Sequence, residues 1–357
     1  MESSERDAAR GRVVVVGASA GGVEALRAMM AGLPADLAAS VVVVLHIPRT
    51  SPSALPGILG RAGPLPCAAA EHRRPLRPGV VYVAPADHHV LVQDGVLLLS
   101  TGPAENGHRP AVDPLFRSAA LARGPSVTGV VLSGTRDDGA AGLAVVARYG
   151  GTAIVQDPDE ALYPAMPRNA LRLVPSALVH PAAAIGAALD TIVRSPPPVP
   201  GPVPVPVPVP VQDAPRPDAA LRQEVESAAT GLPTTDEIDG ARPSPFSCPS
   251  CRGVLFEMPH GPAPRFRCRV GHAWSPASLE EDQAKGVEDA LWTALRALEE
   301  KAALVTRLAD EAHSHGHPRS AAGYRARSAH TRAQADRVRE LLHRELHAPE
   351  AADQDAS

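Results

Sequence analysis

The sequence predicts an α/β protein: a doubly wound, mostly parallel sheet, followed by a proline-rich linker, a small cysteine-bearing ribbon and a helical hairpin. Three observations carry this reading. Short, almost wholly apolar runs recur at 13–16, 41–45, 79–84, 129–132 and 152–155. Strands that alternate with polar residues face water on one side, whereas continuous apolar runs belong to strands covered on both faces. Between most of these runs lie alanine-rich stretches with helical spacing, and strand–helix alternation is the signature of parallel sheets. Aromatic residues make up only 3% of the chain, so the interior is expected to consist of Val, Leu, Ile and Ala.

In chain order, the four valines 13–16 form the first strand, ending at Gly17. Helical spacing follows over 23–33, and the run Val41–Leu45 forms a second strand ending at His46. A third strand is expected over 79–84. Residues 90–99 (VLVQDGVLLL) read as a hairpin turning at Asp94-Gly95, because Asp-Gly suits the left-handed conformations of a two-residue turn. Helices are expected over 114–122 and 142–148, flanking strands at 129–132 and 152–155. This domain spans 13–194 after a disordered segment 1–12. Residues 196–217 then hold eleven prolines, among them an alternating Pro-Val repeat from Pro202 to Pro210. Such a repeat cannot donate a hydrogen-bond ladder and is expected to be an extended spacer rather than a ligand for a proline-recognition domain. The linker covers 195–245, with a short helix at 218–227 and disorder over 228–245. A ribbon module is expected over 246–274, a helical hairpin over 275–346 and a disordered tail over 347–357. Ser278-x-x-Glu281 resembles a capping box. Val287, Leu291, Leu295, Leu298, Val305 and Leu308 fall on one helix face. Gly316 and Pro318 break that helix, and a second is expected from about Ser320 to Leu346.

The composition excludes several classes. With 35 basic and 39 acidic residues the net charge is −4, against the basic surface of a nucleic-acid binder, so no nucleic-acid partner is expected. Four cysteines give no disulfide framework. No run of about 18 apolar residues exists to span a membrane, and the charged first residues lack a signal core. The expected location is the cytosol, with no membrane insertion.

The chemistry begins at Gly17-Ala-Ser19-Ala-Gly21, a G-x-S-x-G turn between a strand and a helix. Flanking glycines permit a cramped turn that pushes the serine oxygen outward, and the following helix start offers free N–H groups to an oxyanion. A phosphate-binding loop is the competing reading. A nucleophilic serine needs a base and an orienting carboxylate. His46 closes the second strand and stands on the same sheet edge; His88, His89 and His108 compete with it. Asp137 and Asp138 follow another strand, in Ser133-Gly-Thr-Arg-Asp-Asp138.

Six blocks, VVVVGASAGGVEAL (13–26), VVVVLHIPR (41–49), LRPGVVYVAPADHHVLV (76–92), HRPAVDPLFRSAA (108–120), GVVLSGTRDDGAAGL (129–143) and VQDPDEALYPAMPRNAL (155–171), resemble the catalytic domain of the chemotaxis protein-glutamate methylesterases. The resemblance covers the whole first domain. It implies a triad of Ser19, His46 and Asp138, the second aspartate of the pair, and hydrolysis of glutamate methyl esters on methyl-accepting chemoreceptors, with glutamine deamidation by the same acyl chemistry. It needs no catalytic cofactor. It implies oxyanion donation by the backbone N–H groups of Ala20 and Thr135, the latter standing where the family often has methionine. Arg136 is either a contact for an acidic substrate helix or a solvated loop residue. Typical members carry an N-terminal receiver domain, for which the twelve residues before the first strand leave no room. A receptor-binding adaptor, with the C-terminal helices recruiting a protein partner, is the alternative.

Cys248-Pro-Ser-Cys251 and, sixteen residues later, Cys268-Arg-Val-Gly-His272 form a C-x2-C…C-x3-H set. Two close pairs of soft or borderline ligands suit a tetrahedral structural zinc with no open position. His260 is a weaker substitute ligand. Arg265, Arg267 and Arg269 around the third ligand read as an acidic-partner surface or a solvated face, and Cys67 as a small buried hydrophobe.

Overall fold

A computed structural model of the chain describes residues 11–50, 53–196, 217–230, 241–258 and 263–346. The proline repeat, residues 1–10 and 347–357 of the expected terminal disorder, and His260 lie outside the described residues, whereas Arg12, expected to be disordered, opens the first strand. Two units divide the chain, Met1–Leu279 and Glu280–Ser357.

The first unit contains β1 (Arg12–Ala18), α1 (Gly22–Ala31), β2 (Ala39–Leu45), α2 (Leu55–Ala62), β3 (Cys67–Ala69), β4 (Arg74–Pro75), β5 (Val81–Val83), β6 (His89–Gln93) and β7 (Val96–Ser100). It continues with α3 (Val112–Arg123), β8 (Val127–Val131), α4 (Ala140–Arg148), β9 (Thr152–Gln156), α5 (Ala165–Leu173), β10 (Leu178–His180), α6 (Ala182–Arg194) and α7 (Pro217–Thr230). The ribbon strands β11 (Arg242–Ser247), β12 (Val254–Glu257), β13 (Phe266–Cys268) and β14 (Ala273–Trp274) follow, then α8 (Pro276–Ser314) and α9 (Pro318–Leu346).

Seven strands form a parallel sheet in the order β10-β9-β8-β1-β2-β5-β3. Successive side chains of a strand point to opposite faces, and β1 shows the consequence. Val13 and Val15 join the core beneath α3, α4, α5 and the β6–β7 hairpin, while Val14 and Val16 join the core beneath α1, α2 and α6. Covering both faces is what requires the continuous apolar runs. The chain leaves β1 toward β2 on one side and returns to β8 on the other, so β1 lies at the reversal of strand order, where α/β sheets place their ligand sites. The hairpin turns at Asp94 (φ 47°) and Gly95 (φ 84°), both left-handed.

Three expectations need correction. Residues 228–230 and 242–245 are not disordered: 228–230 are the last residues of α7, and Arg242–Ser247 is strand β11, paired with β12. Pro243 and Pro245 obscured it, yet proline is tolerated on an edge strand, and β11 is the edge of the order β11-β12-β13-β14. The cap of α8 is Ser275, whose Oγ accepts the Ser278 N–H at 3.1 Å, because Pro276 takes the first helical position. Cys67 is half-buried, not buried.

In the second unit, α8 from Glu280 onward and α9 turn on Gly316 (φ 76°). Leu295, Ala335 and Leu342 form their core, with Leu291, Leu298 and Val338 against it. Val287, expected on the buried face, is 51% exposed. Among the described residues, no helix is long and apolar enough to cross a membrane.

Candidate active site

The strand ends of β1, β2 and β8 are neighbours, and each delivers one polar side chain. Ser19 follows β1 at once, in a turn closed by its carbonyl accepting the Gly22 N–H at 2.9 Å. Gly21 turns with φ 68°, and a Cβ there would lie 2.7 Å from Ser133 Oγ, so both conformation and space require glycine. The Ser19 N–H donates to the Ser133 carbonyl at 2.9 Å, tying this turn to the one after β8.

His46 follows β2, its N–H held by the Ala18 carbonyl at 3.1 Å. Its Nε2 lies 2.8 Å from Asp138 Oδ2 and its Nδ1 3.1 Å from Ser19 Oγ. An ionised carboxylate only accepts, so Nε2 carries the proton and Nδ1 accepts from the Ser19 hydroxyl. Asp138 is 1% exposed. Its Oδ2 also accepts the Val112 N–H at 2.6 Å, and its Oδ1 accepts from Asn106 Nδ2 at 3.0 Å and from the Asp113 N–H at 3.2 Å. Burial works against the ionised carboxyl, but the His46 hydrogen bond and charge and the Val112 N–H hold it well below the usual carboxylate range. Burial and the Asp138 charge raise the neighbouring Asp113. Asp113 Oδ1 accepts the Gly139 and Gly142 N–H groups at the start of α4.

The alternatives fall elsewhere. Asp137 faces away from His46 and accepts from Ser275 Oγ at 2.6 Å and Ser278 Oγ at 2.9 Å. His89 is buried between the Pro103 carbonyl and the Ala111 N–H. His88 is bonded to the Ala86 carbonyl. His108 stacks on His46 with centroids 3.7 Å apart and planes 12° from parallel. Burial, then His46, pushes its imidazole down to about 3, so it is a neutral wall rather than a base.

Gly134 runs against the serine: a Cβ there would lie 2.9 Å from Ser19 Cβ. That approach brings the start of the Thr135 loop to the nucleophile, while Ala20 begins the turn into α1. Arg136 (φ 65°) donates from Nη1 to the Asn106 carbonyl at 3.4 Å.

Sequence reasoning passed over Asn106. The signal was present: Asn106-Gly107 is a two-residue turn dipeptide. Both residues are left-handed (φ 52° and 77°), and Glu105 and His108 bond reciprocally across them.

The ribbon's Cys248, Cys251, Cys268 and His272 offer ligand atoms all within 4.8 Å of one another. Cys251 Sγ and Cys268 Sγ are 3.6 Å apart, and Cys268 Sγ and His272 Nδ1 are 3.5 Å apart. Sulfurs at 2.3 Å from a tetrahedral zinc lie about 3.8 Å apart, so the four residues fit that ion. Two turns hold them, one closed by Arg252 N–H to the Cys248 carbonyl at 2.7 Å, the other by Gly271 N–H to the Cys268 carbonyl at 2.9 Å. The expectation for the arginines is corrected. Arg265 and Arg267 are buried, paired with Glu224 at 2.8 Å and Glu105 at 3.4 Å respectively, and only Arg269 is exposed. The three arginines looked like one surface because the acids that pair with Arg265 and Arg267 lie far away in sequence.

Residues 14–189 match the family model CheB methylesterase. This part of the chain is a CheB methylesterase domain. Two proteins of Anaeromyxobacter dehalogenans, protein-glutamate methylesterase/protein-glutamine glutaminase 2 and 3, are 41% identical over 52% of this chain and 55% of theirs, and 44% identical over 45% and 48%. The chain thus spans about half the length of the curated relatives it matches. The solved CheB methylesterase catalytic domain of Thermotoga maritima is 33% identical, covering 51% of this chain and 98% of that one, with a TM-score of 0.49. The family match stops before α7, the ribbon and the helical hairpin, which extend the methylesterase domain toward the C-terminus.

Proposed function

We propose that this chain is a serine carboxylic-ester hydrolase, a protein-glutamate methylesterase that also deamidates glutamine side chains, acting on methyl-accepting chemoreceptor-type proteins. The single observation that carries the reading is the continuous relay Ser19 Oγ to His46 Nδ1 at 3.1 Å and His46 Nε2 to Asp138 at 2.8 Å, within a methylesterase domain. Ser19 Oγ attacks the carbonyl carbon of the side-chain ester as its proton passes to His46 Nδ1. The tetrahedral oxyanion is met by the N–H groups of Ala20 and Thr135. Collapse breaks the C–O bond, and His46 returns the proton to the departing methanol. Water, deprotonated by His46, then attacks the acyl-serine; the bond to Ser19 Oγ breaks, His46 returns the proton to Oγ, and glutamate is released. With an amide, ammonia leaves instead. Asp138 holds the tautomer and balances the imidazolium that forms at each transfer.

The ribbon's Cys248, Cys251, Cys268 and His272 would hold a structural zinc, which would supply folding stability rather than chemistry, since four protein ligands leave no open position.

The test is methanol release from methyl-labelled receptor peptides by the full chain. The wild type releases methanol and Ser19→Ala does not. Release by Ser19→Ala at the wild-type rate refutes the assignment.

A further inference from the structure

Asp138 is buried, and its Oδ1 takes one hydrogen bond from a side chain, Asn106 Nδ2 at 3.0 Å. Asn106 sits at the tip of a tight turn with a left-handed backbone, and a turn tip is the least constrained place on a loop. What fixes it here comes from the ribbon, about 170 residues later in the chain. The Asn106 N–H donates to the Ala273 carbonyl at 2.8 Å, and Asn106 Oδ1 accepts the Ser275 N–H at 2.9 Å. The Ala273 N–H returns to the Ala104 carbonyl at 3.3 Å. β14 thus lies beside this turn as a short parallel bridge to Glu105. Trp274 closes over the turn, 3.5 Å from where a Gly107 Cβ would stand.

Side chains repeat the attachment on both flanks. On one, Glu105 is buried among Arg117 of α3 at 2.7 Å, Arg267 at 3.4 Å and Arg265 at 3.5 Å. On the other, Ser275 and Ser278 donate to Asp137, the residue before the triad carboxylate. The ribbon therefore grips the chain immediately before Asn106, and the start of α8 that follows it grips the chain immediately before Asp138.

We propose that Asn106 is a positioning residue that fixes Asp138 against His46, and that the ribbon, through Ala273 and Ser275, fixes Asn106. The methylesterase triad is in this way completed by a module outside the methylesterase domain. Asn106 touches neither Ser19 nor the reacting ester; it acts through Asp138. The proposal rests on the triad reading above, and it predicts that loosening the ribbon impairs the chemical step without altering how substrate binds.

The test uses the full chain with two readouts. One is kcat and KM for methyl ester hydrolysis. The other needs no substrate: the downfield proton resonance of His46 Nε2–H, whose exchange with water reports how firmly it is held by Asp138. Asn106→Gly suits the left-handed backbone and removes the side-chain bonds to Asp138, Asp113 and Ser275. Ser275→Pro removes the N–H that reaches Asn106 together with the hydroxyl that bonds Asp137 and caps α8, ahead of a residue that is already proline. Trp274→Ala releases the ribbon from within. In each variant, proton exchange is expected to accelerate at least tenfold, and kcat to fall at least tenfold with KM within twofold of wild type. Circular dichroism verifies that the parallel sheet and its helices persist; should Ser275→Pro misfold, Trp274→Ala still decides the ribbon's part. Wild-type exchange and kcat in Asn106→Gly overturn the role of Asn106. Wild-type values in a folded ribbon variant overturn the role of the ribbon, and a wild-type chain without the resonance overturns both. A wild type that shows the resonance, with the variants losing it, but releases no methanol supports the positioning proposal while refuting the esterase reading.

Discussion

Replacing His108 by phenylalanine separates a stacking contact from a titration. In the wild type the His108 ring lies 3.7 Å from the His46 ring, and burial, followed by the His46 neighbour, pushes its imidazole down to about 3. Arg136 and Arg49 act in the same direction, while Asp138 opposes them. In an unfolded chain the same imidazole titrates near 6.5. Because the folded value is lowered, the unfolded state binds the proton more readily. The stability this residue contributes is therefore complete above about pH 6.5 and is lost as pH falls toward 3. At pH 5 the unfolded chain lies about 1.5 pH units below its own value while the folded residue is still neutral, which costs about 2 kcal/mol at 1.36 kcal/mol per unit. Phenylalanine keeps a flat ring against His46 and does not titrate. The assay is amide hydrogen exchange of the β2 residues 39–45, which open only with the core of the first unit, corrected for the intrinsic pH dependence of exchange. Between pH 7.5 and 5.0 the wild type should lose about 2 kcal/mol more opening free energy than His108→Phe. His89, lowered by its own burial, is common to both proteins and cancels. Equal losses in the two proteins refute the account of His108 as a buried neutral ring.

Gly134→Ala places a Cβ 2.0 Å from Met166 Sδ and 2.9 Å from Ser19 Cβ. Met166 has a flexible end that can yield, but Ser19 is fixed by its turn, so methanol release should fall about 100-fold, the scale of a misplacement near 1 Å. An unchanged kcat would show that the two strand-end turns are not rigidly coupled. For the metal, mass spectrometry under native conditions should find one zinc per chain, absent from Cys268→Ser, and chelation should lower the melting temperature of the wild type alone. A wild-type chain free of zinc, or a melting temperature indifferent to chelation, contradicts the structural-zinc reading.

The sheet and the triad candidates were legible because the forces behind them are local or periodic. Val13–Val16 and Val41–Leu45 announce buried strands by composition alone, and Ser19 and His46 stand at their ends by sequence position. Choosing Asp138 over Asp137 was harder, since the two are adjacent in sequence. The structure separates them through Val112 and Asn106 on one side and Ser275 on the other. What stayed illegible depends on partners distant in sequence. Arg265 and Arg267 look like surface charge until Glu105 and Glu224 are brought to them. Asn106-Gly107 advertised a turn, but nothing nearby could reveal that its tip meets Ala273 and Ser275. β11 was hidden by two prolines, whose missing donors matter only on a paired edge.

The buried ion cluster gives the extension its register. Arg117 of α3 pairs with Glu105 and with Glu224 of α7, and both glutamates pair with ribbon arginines. Burial alone would neutralise Glu105, but Arg117, Arg267 and Arg265 hold it down at about 2. Such clusters are weak contributors to net stability, since desolvation offsets much of the attraction. Breaking one is severe, because the remaining charge stays buried without a partner, at about 3–5 kcal/mol. That asymmetry bears on docking. With the ribbon in place but α7 displaced, Arg265 loses Glu224; with α7 in place but the ribbon displaced, Glu224 keeps only Arg117. Partial docking is therefore penalised from both sides. The cluster favours α7 and the ribbon seating together on the methylesterase domain, in the one register that also brings Ala273 and Ser275 to Asn106.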